Sequence, residues 1–310
     1  MIEVQVGAVE RLGQILCFDL LPLSGILPPW QAGAHIDLIL EDGLLRQYSL
    51  CGDPADRTRY QLAVLREPDS RGGSHAVHDH VKPGARFRVG TPRNLFPLAR
   101  GARHSLLIGG GIGVTPLVAM AHELHARGEA FTFHYVARDP VFAELLAAAP
   151  FAGQVRVYDR SSMQTPRFDP HQAVASAGAA AGKHVYVCGP VGLMDAVTEA
   201  ARDAGLADDQ IHQEAFSAVP VTGGDGFEVL AAKSGVRVQV AADETITAAL
   251  ARVGVKVTVS CEQGICGTCV VNLLEGEPDH RDEYLTEEER TDQIALCCSR
   301  ARSPLLVIDL

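Results

Sequence analysis

The chain lacks any run of 18 apolar residues; the stretch VFAELLAAAP is interrupted by Glu144 and closed by Pro150. No membrane-spanning helix is therefore expected. Positive charge is also in short supply, with 27 Lys and Arg against 38 Asp and Glu and a net charge of −11. That balance argues against general nucleic-acid binding. A secretory leader is not expected either. The opening MIEVQVGAVERLGQ has an early acid and alternating apolar residues, the pattern of a strand. Without such a leader, the eight cysteines fit a reducing cytoplasm better than a disulfide framework. A second C-x2-C pair is absent too, which removes the usual four-cysteine zinc arrangement.

What is present is an ordinary globular composition, 47% hydrophobic and 21% charged over 310 residues, long enough for two or three domains. Charge is distributed unevenly. Residues 1–100 carry 11 acids and 11 bases, whereas residues 226–310 carry 14 acids and 8 bases. Most of that excess lies between Glu275 and Asp292. The run reads either as a solvated face or as a docking surface for a basic partner.

Cysteines are the strongest signal. Cys261, Cys266 and Cys269 follow C-x4-C-x2-C, and the pair Cys297-Cys298 lies downstream. This is the plant-type spacing for a [2Fe–2S] cluster. Three thiolates from one short loop wrap the cluster, and a fourth arrives from a distant segment. Gly264 and Gly267 suit such a loop because they tolerate positive φ and let backbone N–H groups approach sulfur. Spacing alone leaves Cys297 and Cys298 both open as the fourth ligand.

Residues 1 to about 100 read as short alternating strands (EVQVGAV, QILCFDL, HIDLIL, LLRQYSL, YQLAVLRE) broken by turn-rich stretches, an antiparallel barrel or sandwich. SHAVHDHV is one short helix among them. From about 103 the pattern changes to alternating β and α. HSLLIGG, FTFHYVA, QVRVYD and HVYVCG are strands and Val114–Arg127 an amphipathic helix, giving a parallel doubly wound sheet. Its first strand runs into Gly109-Gly110-Gly111-Ile112-Gly113-Val114-Thr115-Pro116. That is not G-x-G-x-x-G, yet glycines before a helix N-terminus still suit a pyrophosphate. AVPVTGGDG, Ala218–Gly226, reads as a linker. Beyond it come a hairpin around Ser234-Gly235, a helix in ETITAALARVG, a strand in CVVNLLEG, a short helix in TEEERTDQ capped by Thr286, and a last strand in SPLLVIDL.

The segment CEQGICGTC…EGEPDHRDEYLTEEER…CCSRA closely resembles the C-terminal ferredoxin domain of the phthalate dioxygenase reductase and vanillate demethylase reductase family. The likeness extends through three modules. Arg46-Gln47-Tyr48-Ser49 and Gly72-Gly73-Ser74 resemble the R-x-Y-S and G-G-S signatures of its flavin domain. TPRNLFPL resembles its P-R-N-x-F segment, and the 109–116 loop its G-G-x-G-x-T-P loop. Cys188-Gly189-Pro190 resembles its C-G-P motif, and Phe216 the aromatic that packs on the flavin.

The resemblance implies an FMN-binding antiparallel β-barrel domain (1–101) and an NADH-binding α/β domain (102–218). A linker (219–226) and a plant-type ferredoxin domain of the β-grasp type (227–310) follow. It makes Cys261, Cys266, Cys269 and Cys297 the cluster ligands, with Cys298 a packed neighbour. Arg46 and the first turn at Gly72, Gly73 and Ser74 would hold the flavin phosphate, with Arg66 a weaker candidate, and Gln47, Tyr48 and Ser49 would line the flavin. Gly110, Gly111, Gly113, Thr115, Cys188, Gly189 and Pro190 would meet flavin and nicotinamide, with Thr115, Cys188 and Phe216 at the hydride-transfer centre. Arg138 and Asp159 would face the adenosine side, where an acid accepts from ribose hydroxyls and repels a 2′-phosphate. The implied activity is electron supply from NADH through FMN and [2Fe–2S] to a Rieske-type oxygenase, in the cytoplasm. A haem monooxygenase as acceptor and a non-catalytic redox sensor or carrier are the competing readings.

Overall fold

A computed structural model describes the chain except for residues 41–43, 69–71, 179–180 and 217–222. The expected linker falls, up to Thr222, outside the described residues. Contacts divide the chain into two compact units, Met1–Phe216 and Ser217–Leu310. Among the described residues no helix is long and apolar enough to cross a membrane.

The first unit opens with β1 (Ile2–Leu12), β2 (Ile15–Pro22), β3 (Ala34–Ile39), β4 (Leu45–Ser49) and β5 (Tyr60–Leu65). Helix α1 (Gly73–His80) and strands β6 (Arg86–Val89) and β7 (Arg93–Asn94) follow. The strands form one antiparallel sheet in the order β4-β3-β6-β1-β2-β5, with β7 on β3. Its two ends approach where Cys51 N–H donates to the Gln61 carbonyl at 3.0 Å, so the sheet curls into a barrel. Alternation explains the interior, with Ile36 and Leu38 of β3 fully buried while Asp37 between them points outward.

The same unit continues through β8 (His104–Gly110), α2 (Val114–Arg127), β9 (Phe131–Ala137), α3 (Ala143–Ala148) and β10 (Val155–Asp159). It ends with α4 (Pro170–Ser176), β11 (Lys183–Cys188), α5 (Val191–Asp203) and β12 (Ile211–Glu214). This sheet is parallel, in the order β10-β9-β8-β11-β12. The order reverses between β8 and β11, and such a switch point leaves a crevice at the strand carboxyl ends. Helix α2 spans the expected residues and stops at Gly128, which takes φ 66° and whose N–H donates to the His125 and Leu124 carbonyls. Leu106 and Ile108 pack on one face of the sheet, and Leu107 joins a core that continues into the barrel.

Asn94 and Phe96 prove to be joints. Asn94 donates to the Ala32 carbonyl (2.9 Å) and accepts from Phe96 N–H (3.0 Å). Phe96 meets Tyr186 edge-on at 5.9 Å, and Tyr186 Oη accepts from Ala99 N–H at 2.7 Å.

The second unit has β13 (Phe227–Ala231), β14 (Val236–Val240), α6 (Ile246–Arg252), β15 (Val270–Glu275), β16 (Pro278–Asp279), β17 (Gln293–Ala295), β18 (Arg300–Ala301) and β19 (Leu305–Ile308). The main sheet runs β14-β13-β19-β15-β17, with β13 and β19 parallel. Thr245 caps α6 by accepting from Ala248 N–H at 3.2 Å. The short helix expected in TEEERTDQ is only a 3₁₀ turn, Glu289–Thr291. Glu289 folds back to accept from Thr286 N–H at 2.9 Å, which closes a capping turn that no apolar stripe extends.

Candidate electron-transfer sites

In the first unit the barrel motif and the parallel sheet meet. Residues Arg46 to Ser49 form most of β4, and α1 begins at Gly73. The Arg46 side chain runs across Gly73, where a Cβ would overlap its Nε. The glycine therefore admits the arginine, and the R-x-Y-S and G-G-S segments come together. Ser74 Oγ accepts from Glu67 N–H at 3.1 Å, and Gln47 donates to Asp37 at 2.8 Å. Arg66 pairs with Asp79 at 3.1 Å on the exposed side of α1.

At the switch point the two glycine-bearing loops touch. A Cβ on Gly113 would overlap the Cys188 carbonyl, and one on Gly110 would lie 2.7 Å from Pro190 Cδ. Only bare backbone permits so close an approach, and it leaves a cradle of the kind a dinucleotide or flavin requires. Thr115 is buried, and its hydroxyl donates to the Ile112 carbonyl at 3.0 Å, which fixes the loop from within. Cys188 is fully buried, and burial holds its thiol well above the usual range. It stands in register with Gly109 on one side and Glu214 on the other. Phe216 is 41% exposed and so is not a core residue.

Glu214 is the functional candidate that sequence reasoning missed. It ends β12, accepts from Ser49 Oγ at 3.4 Å, and thereby ties the R-x-Y-S strand to the C-G-P strand. Burial pushes its carboxyl up to about 8, against the opposing pull of the Ser49 hydroxyl. The only hint in the sequence was an acid two residues before an aromatic at a strand end.

Asp159 lies farther along the strand ends. Its Oδ1 accepts from Ser161 N–H (2.8 Å) and Ser161 Oγ (2.6 Å), and these bonds hold its carboxyl below the ordinary range. Asp159 pairs in register with Ala137, one residue before Arg138. Both are then on adjacent strand ends, and Arg138 is exposed.

In the second unit Cys266, Cys269 and Cys297 are buried and Cys261 is half-buried. Backbone N–H groups reach the sulfurs: Gln263 to Cys261 at 3.3 Å, Cys261 to Cys266 at 3.4 Å, and Cys297 to Cys269 at 3.4 Å. The Thr268 hydroxyl lies 3.2 Å from Cys266 Sγ. Cys266 and Cys297 beside it lower Cys261, and Cys297 lowers Cys269, so the four sulfurs form a connected chain, Cys266 to Cys261 to Cys297 to Cys269. Among the described residues no group of three or more potential ligands closes round a single ion. Four thiolates shared between two irons need none, because each iron takes two. The loop is shaped by Gly264 (φ 77°) and Gly267 (φ 70°), and the Tyr284 ring covers Gly267 where a Cβ would stand. Cys298 Sγ packs 2.6 Å from where a Cβ on Gly264 would be.

A barrel joined to a switch-point crevice, with a separate unit whose five thiols include the C-x4-C-x2-C set, defines the class of flavin and iron–sulfur electron-transfer reductases. Residues 230–302 match the 2Fe-2S iron-sulfur cluster binding domain family. Vanillate O-demethylase oxidoreductase from Pseudomonas sp. (strain HR199 / DSM 7063) is 45% identical over the whole of both chains. The solved phthalate dioxygenase reductase is 35% identical with a TM-score of 0.73, covering 99% of this chain and 97% of that one. An intact type IV self-sufficient cytochrome P450 monooxygenase is 40% identical with a TM-score of 0.85. It matches all of this chain, which spans 41% of that longer one. The chain belongs to the family of vanillate O-demethylase oxidoreductase and phthalate dioxygenase reductase, and it is an oxidoreductase with flavin and [2Fe–2S] cofactors.

Proposed function

We propose that the chain is the NADH-dependent reductase component of a two-component Rieske-type oxygenase or demethylase, working in the cytoplasm. Residues 1–101 serve FMN, 102–218 serve NADH, 219–226 link, and 227–310 carry the cluster. The observation that supports this best is the meeting of Ser49, Cys188 and Glu214 beside the touching Gly110–Gly113 and Gly189 loops. A flavin held there would supply the exchange between two-electron and one-electron chemistry, and a [2Fe–2S] cluster held by the second unit would supply one-electron relay.

The chain's own task is holding and orienting. Arg46 and the opening N–H groups of α1 hold the flavin phosphate, and Tyr48 and Ser49 line the ring. The glycines of the 109–113 loop let backbone approach the nucleotide. Cys188, Gly189 and Pro190 floor the nicotinamide, and Phe216 covers the flavin. Cys261, Cys266, Cys269 and Cys297 bind the irons. Direct hydride transfer requires no acid–base residue, so Glu214 acts through its charge. Below about pH 8 it is neutral, and above it is a carboxylate beside the site where negative charge accumulates. Flavin reduction by NADH in stopped flow should therefore slow as pH rises through about 8, and Glu214→Gln should lose that fall. A fall that survives in Glu214→Gln belongs to another group.

Asp159 supplies the nucleotide preference. Asp159→Ala should raise kcat/KM for NADPH relative to NADH, by lowering repulsion of the 2′-phosphate; an unchanged ratio moves selection to Arg160, Ser161 or Arg138. Within the acidic run Arg290 donates to the Asp282 carbonyl (2.7 Å) and to Glu287 (3.1 Å). Electron transfer to the partner should slow with rising salt, over a Debye length of about 8–10 Å, while flavin reduction changes little. Glu287, Glu288 and Glu289 neutralised together should mimic salt; a rate insensitive to both leaves the run as solvated surface.

The self-sufficient P450 match favours a haem monooxygenase as the second reading of the partner. Rapid-mixing reduction of the co-encoded oxygenase, with its absorbance identifying haem or Rieske iron, tests both. NADH oxidation with an artificial acceptor separates either enzyme from a sensor.

A further inference from the structure

Tyr284 lies in the acidic stretch between β16 and β17, yet its ring turns away from the acids around it. Glu283, Glu287 and Glu288 face solvent, whereas Tyr284 is half-buried. Its ring occupies the place where a Cβ on Gly267 would stand, between the thiols of Cys266 and Cys269. Both of those cysteines are buried, at 3% exposure, for different reasons. Cys269 packs into the hydrophobic core of its unit, and Cys266 does not. The neighbours Ile265, Gly267 and Thr268 are only half-buried, so the loop by itself does not enclose Cys266. The ring on Gly267 is the cover that another segment lends to it. That ring is held on both flanks. Glu283 N–H donates to the Gly264 carbonyl at 3.0 Å, and Asp282 Cα would lie 3.0 Å from a Cβ on Gly264. The Asp282 carboxylate, wholly buried, accepts from Leu285 N–H at 2.8 Å and closes a turn around Tyr284.

We propose that Tyr284 selects the electron acceptor: its ring shields the cluster loop from dioxygen and water, and so reserves the electrons for a protein partner. It rests on the cluster assignment given above. Dioxygen that reaches a reduced cluster takes one electron, leaving the oxidised cluster and superoxide. The shield is the inward side of the segment whose outward acids serve the docking reading, so the two roles are separable. Tyr284→Ala removes the ring, and Gly267→Ala puts a methyl group where the ring stands. Water beside the irons stabilises the reduced, more negative cluster and raises its midpoint potential. A higher potential by itself disfavours electron loss to dioxygen. Faster oxidation at a higher potential therefore reports access, not driving force.

The test uses the full chain stripped of flavin, so that the cluster is the electron donor. The cluster is reduced by one electron without air and mixed with air-saturated buffer, and its EPR signal is followed by rapid freezing. Release of iron from the oxidised protein to EDTA is a second readout, independent of electron transfer. Tyr284→Ala and Gly267→Ala should each speed both processes at least fivefold. Tyr284→Phe, which keeps the ring, should stay within twofold of the parent, as should neutralisation of Glu287, Glu288 and Glu289 together. Should Tyr284→Ala hold too little cluster to measure, Tyr284→Leu takes its place with the same expectations. Parent-like oxidation in the ring-less variant overturns the proposal. Faster iron release with unchanged oxidation does so too, since that marks a loosened loop. Oxidation as fast in Tyr284→Phe as in Tyr284→Ala also overturns it, by assigning the effect to the hydroxyl. A parent chain that holds no cluster overturns the cluster assignment instead.

Discussion

Cys297→Ser should abolish the visible absorbance and low-temperature EPR signal of the cluster, while Cys298→Ser should retain both. The two residues are neighbours in sequence and both are buried, so burial does not separate them. Their surroundings do. Cys297 N–H reaches Cys269 Sγ, and the Cys297 thiol is engaged by both Cys261 and Cys269. Cys298 Sγ fills the space beside Gly264 and faces the Ala295 carbonyl at 3.8 Å. A serine hydroxyl is a harder, smaller ligand than thiolate, and loss of one of four ligands opens the cluster to solvent. At position 298 the same change puts a smaller, polar hydroxyl in place of a buried sulfur and costs roughly 1–3 kcal/mol of stability. Iron and sulfide analysis of both variants decides it; bleaching by Cys298→Ser would exchange the two assignments.

Gly113→Val should lower kcat/KM for NADH by about a hundredfold or more, since misplacing a bound group by about 1 Å costs that much. The smallest side chain already overlaps the Cys188 carbonyl. Either α2 must back away from β11 or the 188–190 loop must shift, and both walls of the switch-point crevice are lost together. Gly111→Ala is the companion variant. Gly111 has φ 56° with open space around it, so alanine there costs only backbone strain, of order 1 kcal/mol, and NADH turnover should fall far less. Equal losses in the two variants would mean that loop conformation, not contact with Cys188, sets the rate.

Much of this was legible because the signals were local. The C-x4-C-x2-C spacing, the G-G-G-x-G-x-T-P loop and the change from period-two strands to β/α alternation each lie within one window of sequence. Helix α2 was read to its last residue because an apolar stripe and Gly128 mark it. Glu214 was illegible for the opposite reason. It acquires meaning from Ser49, 165 residues away along the chain. An acid among strand residues looks like a solvent-facing position until register is known. Strand β12, IHQE, was missed because only Ile211 is apolar. The turn at Glu289–Thr291 was over-read as a helix because its acids and Thr286 carry the cap but not a buried face.

The core that runs without a break from the barrel into α2, β9 and Tyr186 bears on how such chains are inherited. The barrel and parallel sheet share one interior, so exchanging either alone between relatives would leave mismatched side chains in a close-packed seam. The second unit closes its own core around Val229, Leu250, Ile294 and Leu306. Recombination near residue 217 should therefore yield folded chimeras, whereas crossovers near residue 101 should yield few.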